Sequence, residues 1–402
     1  MTWCRVVGLI SGTSMDGIDV AVADLRVRGD AVEMVPLRHC EIPYPADLRA
    51  DLIAALPPNG CSAEQLCRLD TGIGQAFAAA ARTVDDGADL ISSLGQTVYH
   101  WIDGDQCRGT LQLGQPAWIA EATGLPVVAD LRVRDVAAGG HGAPLALVMD
   151  RMLLSTSDTP TVALNLGGIA NITVLRPGRS ALAFDTGPGN ALLDLAMSLR
   201  TGATRDDDGA LAARGVVRDD LLDILLADPY YGAEPPKSTG KEHFHADYLA
   251  RALGEVGEIG DADLMSTLVA LTATTVADAC RPHGVTRVLA SGGGVHNPTL
   301  MAALAAALAP ATLTTTEDLG LSVDAKEAYL AALLGFLTWH GIAIDAATGA
   351  AGPRLLGAIT AGSAPLRLPD PVPGPVHHLR LVDQPTERAA VAEALGGSRA
   401  RP

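Results

Sequence analysis

The chain has 402 residues, of which 48% are hydrophobic, and its formal net charge at pH 7 is −17. This length predicts two or three domains or one large bilobed unit, and the acidic charge argues against a nucleic acid or an anionic membrane as partner, because both require a positive protein face. The six cysteines form no CxxC pair, and there is neither a basic leader before an apolar run nor an apolar stretch of 18 residues, so we expect no zinc or disulfide framework, no membrane span and a cytoplasmic location.

The first part of the chain predicts a β-hairpin followed by helices and two more strands. Apolar runs at 5–10 and 18–27 flank a loop that contains Gly12 and Gly17, which is typical of a hairpin. Further along, the apolar patterns predict helices at 45–56 and 62–84, buried strands at 90–93 and 126–129, and an apolar helix at 145–154.

The hairpin pattern recurs in the second part of the chain. Strands are predicted at 161–166 and 169–175, joined by a turn at Gly167 and Gly168. The elements predicted after it are a strand at 287–290 and helices at 191–200, 262–280, 298–308 and 326–339, with Asn297 as N-cap and Pro298 as first residue of the third helix. Two copies of a strand and helix pattern indicate an α/β fold with a duplicated lobe, and we expect the ligand cleft between the copies.

The expected domain boundaries follow from this duplication. The first lobe is predicted at 1–136, completed by residues near 340–365, and the second at 137–340. The tail at 366–402 is Pro-rich, so we expect it to be a flexible appendage without regular structure before a short helix at 386–395.

Two Gly-containing hairpin loops are candidates for binding phosphate, because backbone amides in a concave loop can donate to phosphate oxygens and Gly permits close approach. In the first loop, Thr13 and Ser14 add hydroxyl groups, and Asp16 or Asp19 could hold Mg²⁺ through water. The second loop contains Gly167 and Gly168. The alternative interpretation is two ordinary hairpin turns.

Asp185 is the candidate catalytic carboxylate. It is expected to end a strand before a Gly/Pro turn and a helix whose N-terminus would stabilise its charge. The alternatives are a helix cap or an indirect Mg²⁺ ligand. Gly292, Gly293 and Gly294 leave room for a flat ring against the backbone, so they suit an adenine or ribose site, although a strained turn fits the same pattern.

Together these motifs resemble the anhydro-N-acetylmuramic acid kinase family. The matching runs occur in the family's order: GLISGTSMDGID at 8–19, GQT at 95–97, GGHGAPL at 139–145, NLGGIAN at 165–171, DTGPGN at 185–190, DPY at 228–230, PKSTG at 236–240, GGG at 292–294 and NP at 297–298. Leu94 and His141 stand where the family often has His and Gln.

The resemblance implies a duplicated actin-like, ribonuclease H-like ATPase fold, ATP and Mg²⁺ as cofactors, and a homodimer. It implies Asp185 as the base and assigns nucleotide binding to Gly12, Thr13, Ser14, Met15, Asp16, Gly17, Ile18, Asp19, Gly167, Gly168, Gly292, Gly293 and Gly294. The sugar is assigned to Gln96, Thr97, Asp130, Gly187 and Glu327, and no residue is assigned as a direct metal ligand.

The reaction that the resemblance implies opens the 1,6-anhydro ring of 1,6-anhydro-N-acetylmuramic acid with water and phosphorylates O6. Two other functions stay open at the level of the residues: a kinase for an ordinary sugar or hydroxy acid, and a nucleotide-gated binding or chaperone-like protein. The second would need a peptide-binding or DNA-binding domain, and the sequence shows neither.

Overall fold

The computed structural model describes residues 2–12, 15–56, 59–84, 87–104, 106–154, 158–179, 181–235, 237–240 and 243–383. Its strands, in chain order, are β1 (Cys4–Ser11), β2 (Gly17–Arg28), β3 (Ala31–Pro43), β4 (Leu90–Asp103), β5 (Gln106–Leu113), β6 (Val127–Ala129), β7 (Thr161–Leu166), β8 (Ile169–Leu175), β9 (Leu182–Pro188), β10 (Arg287–Ser291), β11 (Thr312–Thr315), β12 (Ala358–Thr360) and β13 (His378–Leu381).

The helices, in chain order, are α1 (Ala46–Ala54), α2 (Ala63–Arg82), α3 (Pro116–Thr123), α4 (Val133–Ala137), α5 (Ala146–Leu154), α6 (Ala191–Thr201), α7 (Asp219–Leu226), α8 (Ala246–Glu255), α9 (Asp261–Cys280), α10 (Pro298–Leu308) and α11 (Lys326–Trp339). Within the described ranges, none of these helices combines the length and apolarity needed to cross a lipid bilayer.

The chain forms two compact units, one of Met1–Leu153 with Glu327–Pro402 and one of Leu154–Lys326. In the first, the strands follow the order β12-β6-β4-β1-β2-β3-β13, with β5 paired to β4. In the second, the order is β11-β10-β7-β8-β9.

Both units contain the same five-stranded arrangement. In the first, β1 pairs with β2 and β2 with β3 antiparallel, whereas β1 pairs with β4 and β4 with β6 parallel. In the second, β7, β8 and β9 repeat the antiparallel part, and β10 and β11 repeat the parallel part. The duplicated α/β fold expected from the sequence is therefore confirmed.

Each sheet is covered by a long helix, α2 in the first unit and α9 in the second. Helix α2 begins at a capping box, in which Ser62 accepts from the Gln65 amide and the Gln65 side chain accepts from the Ser62 amide. Its apolar face, with Ile73 and Phe77, packs in the core of the first unit. Helix α9 contributes Leu268 and Leu271 among others to the core of the second unit.

Helix α11 packs on the first unit through two glycines. A Cβ atom at Gly8 of β1 would lie 2.0 Å from the Ala328 carbonyl oxygen, and one at Gly335 would lie 2.3 Å from Cβ of Ser92 on β4. Backbone approach this close is possible only with glycine. Residues from Glu327 onward therefore belong with the first unit, and the boundaries differ from the expected ones at 136/137 and 340/341.

The hairpins and the predicted helices between 45 and 339 are confirmed, with ends within a few residues of those expected. The strand predicted at 90–93 is much longer, and Gly95 to Thr97 lie inside it rather than after it. The expectation of an unstructured tail was wrong at β13, which pairs in parallel with β3 through four residue pairs. The helix expected at 386–395 lies outside the described residues.

Candidate active site

The loop between β1 and β2 is held by hydrogen bonds at its base. The Ser11 hydroxyl donates to the Gly17 carbonyl at 2.7 Å, and the Met15 amide donates to the Gly12 carbonyl at 3.2 Å. Met15 has a φ of 54°, in the left-handed region, and its carbonyl accepts from Arg49 Nε at 2.8 Å. The remaining candidates of this loop, Thr13 and Ser14, lie outside the described residues.

Gln96 is fully buried beneath this loop. Its Nε2 donates to the carbonyls of Gly12 and Thr97 at 3.2 and 3.1 Å, and its Oε1 accepts from the Tyr44 hydroxyl at 3.4 Å. Burial raises the pKa of Tyr44 to about 12, despite a hydrogen bond with Ser11 that acts in the opposite direction, so the phenol stays a neutral donor. The Gln96 side chain thus braces the loop from below.

The other sugar candidates of the first unit differ in exposure. Thr97 is half-buried and its hydroxyl accepts from Gln112 Nε2 at 3.3 Å. Asp130 is exposed, directly after β6, with a φ of 54°. Glu327 is exposed in the first turn of α11.

Arg132 is a further charged residue of this region that the sequence alone did not single out as a candidate. Burial lowers its pKa, whereas the nearby Glu327 carboxylate acts in the opposite direction. Its Nη1 donates to the Gly142 carbonyl at 2.8 Å. The pKa of His100 is lowered mainly by the burial of His100 itself and, to a smaller extent, by the positive charge of Arg132. The only signal in the sequence was its place between a strand and the Gly-rich run.

In the second unit, both the backbone amide and the backbone carbonyl of Asp185 are hydrogen-bonded. Its amide donates to the Lys237 carbonyl at 3.1 Å, and its carbonyl accepts from the Tyr230 hydroxyl at 2.8 Å. Its carboxylate oxygen Oδ2 accepts from Ser238 Oγ and from the Thr239 amide, each at 2.9 Å. The carboxylate therefore has a fixed orientation.

One expectation about Asp185 was wrong. It lies in the middle of β9, not at its end. The amides of Asn190 and Ala191, at the start of α6, donate to the carbonyls of Gly167 and Gly168 at 2.9 Å, so α6 begins against the second hairpin. Stabilisation of the Asp185 charge by this helix stays a prediction. The Asp185 carboxylate accepts from residues 238 and 239, which the sequence had not connected with Asp185.

Lys237 ties this supporting segment together. Its Nζ donates to the carbonyls of Tyr230 and Tyr231, both at 3.0 Å, and lies 4.7 Å from the centre of the Tyr230 ring. Partial burial lowers the pKa of Lys237, and the charge of Glu234 opposes this shift. Gly187 faces the same segment, since a Cβ there would lie 2.8 Å from the Tyr231 ring. Lys241 and Pro236 lie outside the described residues.

The glycines of the second unit meet at one end of its sheet. Gly292 has a φ of 87°, and a Cβ there would lie 2.6 Å from Asn165 Oδ1, while one at Gly294 would lie 2.7 Å from the Leu166 side chain. A Cβ at Gly293, in contrast, would meet nothing within 4 Å. Gly292 and Gly294 thus pack against the second hairpin, whereas Gly293 faces open space.

The candidates therefore form two groups, one in each unit. In the first unit the loop residues Gly12, Met15 and Gly17 lie with Gln96, and Ile18 and Asp19 continue into β2. In the second unit Asp185 and Gly187 lie on β9, and Gly167 and Gly168 lie near Gly292 and Gly294. Across the described ranges, no group of three or more His, Cys, Asp or Glu side chains is placed to hold a metal ion.

Comparison with known proteins decides the family. A family model described as anhydro-N-acetylmuramic acid kinase matches residues 4–362. The chain belongs to the anhydro-N-acetylmuramic acid kinase family. It is accordingly an enzyme of the kinase class.

Curated relatives with that family name match over nearly their whole length. The relative from Streptomyces coelicolor is 54% identical, over 95% of this chain and 100% of its own length. The relative from Rhodococcus erythropolis is 49% identical, over 94% of this chain and 99% of its own. A family member from Xanthomonas campestris is 44% identical, over 88% and 96%.

Solved structures show more distant likenesses. An activator of 2-hydroxyisocaproyl-CoA dehydratase from Clostridium difficile with bound ADPNP has 12% identity and a TM-score of 0.40, over 83% of this chain and 94% of that one. A ROK family glucokinase from Streptomyces griseus in complex with glucose and AMPPNP has 14% identity and a TM-score of 0.36, over 83% and 98%.

Proposed function

We propose that this kinase uses ATP and water to convert 1,6-anhydro-N-acetylmuramic acid into N-acetylmuramic acid 6-phosphate and ADP. Asp185 is the general base. The observation that carries this assignment is the fixed carboxylate of Asp185, whose backbone and side chain are both anchored by residues 230 and 237–239. A preoriented carboxylate is what water activation requires, because a base acts only within hydrogen-bond reach of the proton it takes.

The bond changes balance without a second protein acid. Water loses a proton to Asp185, its oxygen forms a bond to C1, and the bond between C1 and O6 breaks through an oxocarbenium-like transition state. The released O6 takes the γ-phosphoryl group, and ADP leaves. Inverting glycoside hydrolysis normally needs a carboxylic acid to protonate the leaving oxygen. Phosphoryl capture fills that role here, which fits a site with one anchored carboxylate.

The nucleotide is assigned to loops of both units. The loop with Gly12, Met15 and Gly17, which Gln96 braces, would hold the phosphate groups by its backbone amides, and Gly167 and Gly168 would contribute in the second unit. The open space at Gly293 suits the adenosine. Asp16 is exposed and Asp19 is partly exposed, so their oxygens fit Mg²⁺ through bridging water. The ion would neutralise charge on the transferring phosphoryl group.

The sugar is assigned to Thr97, Asp130, Gly187 and Glu327. Gln96 was expected to bind the sugar too, but its side chain is fully buried and donates to the Gly12 carbonyl, so we assign it to bracing the loop between β1 and β2. Asp130 and Glu327 are exposed, so their carboxylates can accept from sugar hydroxyl groups. Gly187 has a φ of 149° and packs against the Tyr231 ring, so its assignment to the sugar rests on the family resemblance.

The test is a product assay with purified protein, ATP, Mg²⁺ and the anhydro-sugar. The wild type should form N-acetylmuramic acid 6-phosphate and ADP in equal amounts. Asp185→Asn keeps the size of the side chain but removes the base, so turnover should fall by about 10²- to 10⁴-fold while ATP still binds. Turnover near that of the wild type would exclude Asp185 as the base.

The remaining assignments concern the setting of the enzyme. We place the reaction in the cytoplasm, in peptidoglycan recycling and amino sugar catabolism, and we assign a homodimer. The cleft between two lobes stays a prediction. Light scattering coupled to size exclusion should give twice the monomer mass of 41.3 kDa, and a mass equal to that of the monomer at micromolar concentration would contradict the dimer.

A further inference from the structure

Lysine is rare in this chain, which has it only at positions 237, 241 and 326. Lys326 is buried in the second unit, with Nζ 3.2 Å from Ser291 Oγ. Lys237 instead lies beside the segment that supports Asp185. The family's reaction does not explain by itself why an ammonium group is kept there.

The contacts of Lys237 require a compact cation with several donors. The carbonyl oxygens of Tyr230 and Tyr231 each lie 3.0 Å from Nζ, and Nζ also lies over the face of the Tyr230 ring, 4.7 Å from its centre. An ammonium has three donors around one nitrogen and can serve both carbonyls and a ring face. The planar fork of arginine is built for two parallel oxygens and fits this arrangement less well.

Two of these residues, Tyr230 and Lys237, are also linked to Asp185 through other atoms. Tyr230 donates its hydroxyl to the Asp185 carbonyl, and Lys237 accepts from the Asp185 amide through its own carbonyl. The ammonium therefore closes a ring of contacts from Lys237 to Tyr230, from Tyr230 to Asp185, and from Asp185 back to Lys237. Opening one contact of this ring loosens the others.

The residues directly after Lys237 orient the carboxylate. Ser238 Oγ and the Thr239 amide both donate to Oδ2, and together they fix the plane of the carboxylate. Their position depends on Lys237, because the side chain of Ser238 is exposed, whereas Lys237 and Tyr230 hydrogen-bond to the backbone of Asp185 on β9. Rigid support of this kind decides whether a base lies within reach of its proton.

We propose that Lys237 is a positioning residue, whose ammonium holds residues 237–239 against Tyr230 and Tyr231 so that Ser238 and Thr239 aim the carboxylate of Asp185. The proposal rests on the assignment of Asp185 as the base. Lys237 acts through Asp185, so its loss lowers the rate of the chemical step and leaves substrate binding largely intact.

The experiment measures kcat and KM for ATP and for the anhydro-sugar in Lys237→Met, Ser238→Ala, Ser238→Thr and Asp185→Ala. Lys237→Met and Ser238→Ala should lower kcat by about 10- to 100-fold, as expected for the loss of hydrogen bonds that involve a charged group, with KM changed less than about threefold. Ser238→Thr keeps the hydroxyl group and should restore most of kcat. Arg251→Met on α8 and Ser198→Ala on α6, both exposed positions of the same unit, are the matched controls and should behave as wild type.

The outcomes separate the two assignments. If Asp185→Ala loses turnover but Lys237→Met and Ser238→Ala keep the wild-type kcat, the positioning proposal alone is overturned. A rise in KM for ATP at constant kcat in Lys237→Met also overturns it. If Asp185→Ala turns over normally, the base assignment fails and the positioning role fails with it. Thermal unfolding of each variant shows whether the fold is retained, and Ser238→Ala keeps the test decisive if Lys237→Met does not fold.

Discussion

Replacing Gln96 by leucine tests whether the buried amide braces the loop between β1 and β2, to which we assign phosphate binding. The substitution removes two donated hydrogen bonds, to the carbonyls of Gly12 and Thr97, and one accepted bond from Tyr44. The Gly12 carbonyl still accepts from the Met15 amide, so it loses only one of its two hydrogen bonds. Burial leaves no water to replace the lost partners, because the exposed fraction of Gln96 is 0%.

The expected cost follows from these contacts. Two hydrogen bonds of ordinary length contribute about 1 kcal/mol each, and the bond of 3.4 Å from Tyr44 contributes less. Leucine recovers part of the loss by apolar burial, so the free energy of unfolding should fall by about 2 kcal/mol. If about 1.4 kcal/mol of this is needed to order the loop when ATP binds, KM for ATP should rise about tenfold.

The assay combines denaturant unfolding with kinetics at varied ATP. Gln112→Leu is the matched control, because Gln112 lies on β5 and donates to the hydroxyl groups of Thr97 and Thr110 rather than to the Gly12 carbonyl. The control should lose stability with no change in KM for ATP. An unchanged KM for ATP in Gln96→Leu, together with the expected loss of stability, would refute the bracing role.

Two further predictions concern stability. Gly8→Ala should destabilise the protein by about 3 kcal/mol or more in urea unfolding, because the new Cβ would lie 2.0 Å from the backbone oxygen of Ala328. Gly60→Ala is the control and should be near neutral, because a Cβ at Gly60 meets no atom within 4 Å. Equal effects of the two substitutions would contradict the packing of α11. Burial lowers the pKa of His340 below its ordinary 6.5, despite a bond to the Phe336 carbonyl, so the unfolded state takes up more protons on acidification. The His340 contribution to stability is complete above about pH 6.5 and is lost as the pH falls below it. The free energy of unfolding should therefore fall less between about pH 7.5 and 5.5 in His340→Gln than in the wild type. An equal fall in both proteins would show that His340 plays no part.

The sequence predicted those parts of the fold that have strong local signals. The two hairpins have apolar strands separated by Gly-containing loops, and α10 has both its Asn297 cap and Pro298. Strand β3 was missed because its second half is largely exposed and carries polar residues, so that pairing with β2 decides its structure. Strand β13 lies in a Pro-rich tail, and it forms because β3 offers it an edge.

The candidate site was predictable to the level of its motifs but not of its contacts. Asp185 was found from its own neighbours, yet its hydrogen-bond donors lie 53 and 54 positions away along the chain. A contact of this kind depends on tertiary packing, and only the PKSTG run marked the segment in advance. The bracing role of Gln96 was hidden for the same reason, because it depends on the parallel pairing of Ser11 with Gln96.

The most direct test of the proposed reaction follows the oxygen atom of water. The wild-type enzyme is run with ATP, Mg²⁺ and the anhydro-sugar in ¹⁸O-labelled water, and the product is analysed at once by mass spectrometry, beside a sample of unlabelled product held in the same water to correct for exchange. In the proposed mechanism Asp185 directs water to C1, so the N-acetylmuramic acid 6-phosphate should carry one ¹⁸O, in the C1 hydroxyl group, and none in the phosphate. A phosphorylated product without label at C1, or with an intact anhydro ring, would contradict the mechanism.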